Sequence, residues 1–190
     1  EKVDKDSMYV TNIDVKVVDG KTNKVVPAKL DDAGGYGGEL FLGDFTGDKI
    51  DDIMVELPTG GSGGIVDYRI LNMKDNKPQV IFGEKENQGI DFEGKFMDVS
   101  AFKDEYIESG IYDKDGKLLS EFEPWIDAFS ELKPVIMDEG LYGLIGRQAM
   151  SGNCHANTIS NVDSMWKYED GKWVVKGVEY TTFVDVPQNK

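Results

Sequence analysis

Residues 40–57 read LFLGDFTGDKIDDIMVEL, an apolar segment, an acidic loop and a second apolar segment. In the second segment Ile53, Val55 and Leu57 fall on one face and Glu56 falls on the other. Alternation of this kind is typical of a β-strand with one buried face. The sequence therefore predicts that Leu40–Leu42 and Ile53–Leu57 pair as two strands across the acidic loop.

The same pattern recurs along the chain. Short alternating segments separated by turns rich in Gly and Asp predict antiparallel hairpins. Four further hairpins are expected: Tyr9–Val18 with Val25-Val26, Ile65–Met73 with Gln79–Phe82, Tyr106–Tyr112 with Leu118–Phe122, and Met165–Val175 folded around Asp170-Gly171-Lys172.

One short helix is also expected, at Pro124–Leu132. Trp125, Ile126, Phe129 and Leu132 have helical spacing, and Pro134 would end the helix. The prediction is thus a mainly β fold with a single short helix.

A partial internal repeat relates residues at about 38–82 to residues at about 136–178. Ile53-Met54-Val55 and the glycines after it correspond to Gly143-Leu144-Ile145 and Ser151-Gly152-Asn153, and both copies continue into a hairpin. Repeated antiparallel β-meanders indicate propeller-like blades, forming an incomplete or small propeller within one domain over residues 1–190. A β-sandwich is the alternative.

Composition excludes several classes of function. The formal net charge of −15 would repel nucleic acid and anionic lipid headgroups. No apolar run approaches the roughly 20 residues that a membrane-spanning helix needs. Because the sequence begins at Glu1, we expect that a signal or anchor segment was removed upstream, and hence an extracellular or cell-envelope location.

The acidic loop has the spacing of a calcium site. Asp44, Thr46, Asp48 and Asp52 occupy relative positions 1, 3, 5 and 9, and the carbonyl of Ile50 supplies position 7. Calcium takes six to eight oxygen ligands in flexible geometry, and water can complete this set. Without a cation the converging carboxylates would repel one another. These five residues are therefore the predicted Ca²⁺ ligands.

An EF-hand is excluded, because position 12 is Val55 rather than Glu and position 6 is Lys49 rather than Gly. Residues 43–53 instead resemble the FG-GAP, or VCBS-type, repeats of integrin α-subunit propellers and many bacterial exported proteins. The resemblance implies an extracellular calcium loop on the rim of a β-meander blade, with the five ligands given above. Lys49 departs from the family, which commonly has Gly there. The second copy keeps only Asp138, Gly140, Tyr142 and Leu144 and is expected to bind no ion.

Catalytic motifs are fragmentary. Gly60-Gly61-Ser62-Gly63-Gly64 matches the nucleophile elbow of α/β-hydrolases, and the order Ser62, acid, His155 would suit their triad. However, an elbow needs a helix directly after the serine, whereas Ile65–Ile70 has a β pattern. An inter-strand loop is the favoured interpretation.

Three other features could suggest a function but are better explained by ordinary structural roles. Cys154 and His155 are adjacent, so in extended backbone they point to opposite faces and are predicted to be ordinary loop residues. Glu121 and Glu123 could serve glycoside hydrolysis but are expected on the solvated surface. The three tryptophans could form a sugar platform but are expected in the core: Trp125, Trp166 and Trp173.

The function predicted from the sequence is a noncatalytic calcium-binding β domain of an exported or envelope protein. It would serve adhesion, assembly or interaction with a protein or carbohydrate ligand. The alternatives are a hydrolase using Ser62 or an acidic pair, and a carbohydrate-binding module.

Overall fold

The computed structural model describes residues 6–91, 103–121, 123–152 and 154–182. Ten strands account for most of these residues, and all the sheets are antiparallel, which confirms a mainly β fold. The strands are β1 Tyr9–Val18, β2 Val25–Tyr36, β3 Glu39–Gly43, β4 Asp52–Pro58, β5 Val66–Asn72, β6 Gln79–Phe82, β7 Trp125–Asp138, β8 Leu141–Ser151, β9 Thr158–Glu169 and β10 Lys172–Thr182. The helices are short: α1 Glu84–Asn87, α2 Lys103–Glu108 and a 3₁₀ turn at Lys74–Asn76.

The strands form three sheets. Strands β1 and β2 make a two-stranded ribbon, β3-β4-β5-β6 make the first four-stranded sheet, and β7-β8-β9-β10 make the second. Within each four-stranded sheet the strands follow chain order. The segments related by the internal repeat, Ile53–Val55 and Gly143–Ile145, lie in β4 and β8, the second strand of each sheet. Their origin by duplication stays a prediction.

The central strands of the first four-stranded sheet, β4 and β5, are buried on both faces. On one face the sheet shares a core with the ribbon, whose Val26 and Leu30 pack with Ile53 and Leu71. On the other face it meets the second sheet through a larger core of Phe45, Met54, Val66, Tyr68, Ile70 and Phe82 on one side and Phe129, Leu132, Leu144 and Trp166 on the other. This face-to-face packing is that of a β-sandwich, the alternative fold named from the sequence.

Four of the five predicted hairpins are confirmed. Val18 faces Val25 in the ribbon, Gly43 faces Asp52 at the acidic loop, and Asn72 faces Gln79. Strands β9 and β10 pair around the turn at Asp170-Gly171, where both residues have positive φ, of 50° and 82°. Such values are those of a tight hairpin turn.

The predicted helix at Pro124–Leu132 is wrong, because Trp125–Asp138 is strand β7. Bulges between Ile126 and Phe129, and between Phe129 and Glu131, break the alternation of β7. The buried side chains therefore fall at irregular intervals that imitate helical spacing. Pro134 is tolerated because β7 is an edge strand of its sheet.

The predicted hairpin of Tyr106–Tyr112 with Leu118–Phe122 is also wrong in its first half. Tyr106 lies in α2, and the N–H groups of Ile111 and Tyr112 both donate to its carbonyl. Gly110, with φ of 71°, reverses the chain after the helix. One bridge between Tyr112 and Leu118 remains of the expected pairing, and Phe122 lies outside the described residues.

Candidate functional site

The acidic loop joins β3 to β4 at the edge of the first sheet, on the side where β5 also ends. Its backbone needs two left-handed residues, Gly47 with φ of 81° and Lys49 with φ of 67°. Glycine adopts such values without strain, whereas a lysine adopts them at a cost. The departure at Lys49 therefore has a conformational cost as well as an added charge.

Asp44 folds the loop onto itself. Its Oδ1 accepts hydrogen bonds from the N–H of Gly47 at 2.6 Å and from Oγ1 of Thr46 at 3.5 Å, and its Oδ2 accepts from the N–H of Lys49 at 2.8 Å. Such bonds from backbone N–H groups to an Asp side chain stabilise tight turns. The structure thus gives Asp44 a role in shaping the loop.

Asp52, at the start of β4, is the buried carboxylate of the loop, with 0% of its surface exposed. Its Oδ2 accepts from the N–H groups of Phe45 at 2.9 Å and Thr46 at 3.2 Å. Burial, assisted by the negative charges of Asp48 and Asp44, raises its pKa to about 6, although the hydrogen bonds from Phe45 and Asn72 oppose the shift. An ionised Asp52 is therefore costly to the folded protein.

Three loop oxygens converge on one atom. Nδ2 of Asn72, at the end of β5, lies 2.8 Å from Oδ1 of Asp52, 3.3 Å from Oγ1 of Thr46 and 3.3 Å from Oδ2 of Asp48. The Oδ1 of Asn72 accepts from the N–H of Lys74 at 3.0 Å, which fixes the orientation of the amide. The amide has two hydrogens for these three acceptors.

The structure therefore brings Thr46, Asp48 and Asp52 together, as the spacing predicted, and directs Asp44 to the backbone. Ile50 donates its N–H to Oδ1 of Asp48 at 3.0 Å. Within the described ranges, no group of three or more His, Cys, Asp or Glu side chains is placed to hold a metal ion. Sequence reasoning missed Asn72; the signal was a polar side chain that ends β5 directly after the apolar pair Ile70-Leu71.

The β7–β8 turn lies against the acidic loop. The N–H of Tyr142 donates to the carbonyl of Asp44 at 2.8 Å, and Asp138 and Glu139 help to line a cavity of about 440 Å³ together with Asp44 and Lys49. The β7–β8 turn thus supports the acidic loop.

A second candidate site lies in a cavity of about 580 Å³, which we name the central cleft. It is formed by the ribbon, β5, α1, the start of β7 and the loop after β8. The residues that line it are Tyr9, Asp32, Gly34, Thr59, Ile65, Asp67, Arg69, Glu84, Asn87, Gln88, Trp125, Ile126, Asp127, Ala128 and His155.

Asp127 is the most heavily engaged side chain of the central cleft. It is 4% exposed, its Oδ1 accepts from Nε1 of Trp125 at 2.7 Å, and Nδ1 of His155 lies 2.7 Å from the same oxygen. Its Oδ2 accepts from Oγ of Ser151 at 2.6 Å. The side chain of His155 is 50% exposed, so the ring reaches solvent while Nδ1 is held by a buried carboxylate.

Ser62 lies in the turn between β4 and β5, and β5 follows it directly, so the inter-strand loop is confirmed. Ser62 and His155 nevertheless line the same small cavity, of about 180 Å³, beside Gly61 and Gly63. Sequence reasoning named Ser62 and His155 but did not identify Asp127. Cys154 is exposed.

The remaining candidates behave mostly as predicted. Trp166 is buried and donates from Nε1 to Oγ of Ser164 at 2.7 Å. Trp173 packs on the core between the two sheets and donates to the carbonyl of Ile81 at 2.8 Å. Trp125 differs, because it lines the central cleft. Glu121 and Glu123 are both exposed, as expected.

Comparison with known proteins identifies a family. Residues 74–181 match the model of the YybI C-terminal domain, so the chain belongs to that family. The chain is 27% identical over 192 residues to the uncharacterized protein YybI of Bacillus subtilis (strain 168), an alignment that covers 90% of this chain and 73% of the relative. No solved structure matches the chain.

The range matched by the family model contains Asp127 and His155. It also covers all of β9 and nearly all of β10. The acidic loop and Ser62 precede that range. The FG-GAP resemblance stays a prediction. Within the described segments, no helix is long and apolar enough to cross a membrane.

Proposed function

We propose that this chain is a calcium-binding β domain of an exported or cell-envelope protein, in which the ion fixes the acidic loop against the end of β5. The observation that carries the proposal is the convergence of Thr46, Asp48 and Asp52 oxygens within 3.3 Å of Asn72 Nδ2. The domain would serve adhesion, assembly or ligand interaction, roles that need no catalytic group at this loop.

The chemistry of the donor set fits calcium. Calcium is a hard cation that takes carboxylate, hydroxyl, carbonyl and water oxygens. The side chains of Asp48 and Asp52 supply two negative charges, and Thr46 supplies a neutral oxygen. Asp44 and the carbonyl of Ile50 complete the set expected from the spacing. To bind the ion, the Asn72 amide would have to move away from its position between the Thr46, Asp48 and Asp52 oxygens.

The energetic reason for binding lies in Asp52. A carboxylate that is fully buried beside Asp48 and Asp44 is costly to ionise, and a neutral amide offsets that cost less well than a divalent cation does. At a hundred times its dissociation constant, calcium would add about 2.7 kcal/mol to the free energy of unfolding. Outside a cell even millimolar affinity is sufficient.

The test is thermal unfolding in excess calcium and in a calcium chelator. For a domain of this size we expect calcium to raise the melting temperature by roughly 5 to 10 °C. Asp48→Ala should abolish the rise. Asp115→Ala is the matched control, because Asp115 lies exposed in another acidic turn, and it should leave the rise intact.

A parallel measurement in magnesium at equal concentration separates specific binding from general screening of the acidic chain. Magnesium demands near-ideal octahedral geometry, so the rise should be smaller. Identical unfolding curves of the unmodified protein in calcium and in chelator would refute the proposal.

A further inference from the structure

We propose that Ser62, His155 and Asp127 form a serine hydrolase site at the edge of the central cleft, acting on uncharged or cationic acyl esters. Three observations place these groups together. His155 Nδ1 lies 2.7 Å from Asp127 Oδ1, both residues line the central cleft, and Ser62 lines a cavity that also contains His155. This activity goes beyond the calcium-binding role and would replace the noncatalytic expectation drawn from the sequence.

The Asp127–His155 pair has the arrangement of a base and the group that orients it. A carboxylate oxygen 2.7 Å from Nδ1 favours the neutral tautomer that carries its proton on Nδ1 and leaves Nε2 as the acceptor. Trp125 Nε1 and Ser151 Oγ hold the Asp127 carboxylate in place. The indole of Trp125 also contacts the imidazole edge to face, with ring centroids 5.3 Å apart. The ring, carried by the loop after β8, thus lies against residues of β7, and the side chain of His155 is 50% exposed.

The turn that carries Ser62 passes directly beside this ring. A Cβ built on Gly63 would lie 3.4 Å from His155 Nδ1, so the chain next to Ser62 runs close to the Nδ1 side of the imidazole. Gly60 and Gly64 have positive φ values of 78° and 63°, which allow the chain to reverse between β4 and β5. Ser62 itself is exposed and accessible to a substrate.

The chain order Ser62, Asp127, His155 occurs in hydrolase triads, but the local fold here is a strand-to-strand turn. Triads arise on unrelated folds and are recognised by the roles of the groups rather than by the scaffold. The hydrogen bond between nucleophile and base is often long in ligand-free sites and shortens on substrate binding. The missing elbow helix therefore excludes the α/β-hydrolase fold and leaves the triad chemistry open.

The reaction would proceed by acyl transfer to serine. Ser62 Oγ attacks the ester carbonyl carbon while its proton passes to His155 Nε2, and the same proton then passes to the leaving alkoxide as its C–O bond breaks. Water next attacks the acyl-serine carbonyl, and its proton travels through His155 back to Ser62 Oγ as the carboxylic acid leaves. Asp127 is a positioning residue, because it acts through His155.

The central cleft determines the class of substrate. Its volume of about 580 Å³ is in the range that holds a small molecule. Trp125 and Tyr9 supply aromatic surface for an acyl or alcohol group. Apart from Asp127, the lining carries three carboxylates and one guanidinium, those of Asp32, Asp67, Glu84 and Arg69. The negative excess, within a chain of net charge −15, disfavours anionic substrates such as phosphate esters.

The first experiment is labelling of the full chain with a fluorophosphonate, followed by mass spectrometry of the modified peptide. We expect modification at Ser62, abolished in Ser62→Ala and reduced by about tenfold or more in His155→Ala. Ser109→Ala is the matched control, since Ser109 is an exposed serine bonded to the carbonyl of Tyr106, and it should keep full labelling. Absence of labelling in the unmodified protein, or labelling retained in Ser62→Ala, would overturn the proposal.

The second experiment tests the positioning role of Asp127 with p-nitrophenyl acetate. Asp127→Asn should lower kcat by about tenfold or more with little change in KM, because the amide no longer favours the required tautomer of His155. Asp127→Glu should restore part of kcat. Each rate is divided by the concentration of folded protein, which circular dichroism measures. If Asp127 had a purely structural role, the rate per folded molecule would be unchanged, and that result would overturn the assignment. Equal activity in calcium and in chelator shows that this site works independently of the acidic loop.

Discussion

The hydroxyl oxygen of Tyr68 on β5 accepts a hydrogen bond from the N–H of Leu132 on β7 at 3.0 Å, and so joins the two four-stranded sheets inside their shared core. Tyr68→Phe would leave that buried N–H without this acceptor. We expect a loss of about 1 to 3 kcal/mol in the free energy of unfolding, measured by urea denaturation.

Tyr36→Phe is the control for that substitution. Tyr36 is 44% exposed at the end of β2, so removal of its hydroxyl should change stability by about 0.5 kcal/mol or less. Equal effects of the two substitutions would show that the bond between the sheets contributes nothing.

Asn72→Asp tests the central position of the acidic loop. The substitution replaces the amide donor with a carboxylate facing Asp52 and Asp48, so in chelator we expect a destabilisation of about 2 to 4 kcal/mol. Calcium should recover much of that loss, and the calcium-induced rise in melting temperature should exceed that of the unmodified protein. Asn76→Asp adds the same charge at an exposed position in the neighbouring turn and should leave the rise unchanged. A calcium response in Asn72→Asp no larger than that of the unmodified protein would contradict this prediction.

Replacing Glu56 by a neutral residue should increase stability in a pH-dependent way. Glu56 pairs directly with Glu39 across β3 and β4. Burial first, then the negative charges of Glu39 and Glu131, raise the pKa of Glu56. A raised folded-state pKa means that the group favours the fold below its ordinary pKa of 4.5 and that this contribution is lost as pH rises through the folded value.

Glu56→Gln should therefore be more stable than the unmodified protein at about pH 7.5, by about 0.2 to 1 kcal/mol. The difference in stability between the variant and the unmodified protein should vanish at about pH 3.5, where the Glu56 carboxyl is protonated and, like the Gln amide, neutral. Urea denaturation at the two pH values measures it, with the exposed Glu123→Gln as control. A gain that persists unchanged at the lower pH would exclude charge as its cause.

A side chain at Gly146 in β8 should disturb the packing of the core. A Cβ at this position would overlap the ring of Phe129 and lie 3.0 Å from Cδ1 of Leu132, both in the core between the sheets. Gly146→Ala should cost about 1 to 3 kcal/mol in thermal or urea unfolding. Gly177→Ala in β10 is the control, because nothing lies within 4 Å of its Cβ position. If both variants were equally stable, the contact with Phe129 would relax freely.

The sequence predicted those features of the fold that depend on residues close together in the chain. Turn residues such as Asp170-Gly171 and the alternation of Ile53–Leu57 were sufficient to locate the hairpins, because both depend on neighbouring residues. The same holds for the convergence of Thr46, Asp48 and Asp52, which the tight loop imposes. Strand β7 was missed because its bulges remove the two-residue period.

Partners on different strands were beyond sequence reasoning. Asn72 reaches the acidic loop from β5, and His155 meets Asp127 only because the loop after β8 folds back over β7. Neither pair has a characteristic spacing. Burial on both faces of β4 was likewise not predictable, because it results from the ribbon packing on one side and the second sheet on the other.

Chain order within the two four-stranded sheets has a consequence for synthesis on the ribosome. The first sheet has all its backbone partners once Phe82 has emerged, but the apolar face of Tyr68, Ile70 and Phe82 is covered only by residues such as Phe129 and Trp166. At about 5 to 20 residues per second, that face stays open for roughly 4 to 17 s. We expect the nascent chain to be a chaperone substrate during this interval.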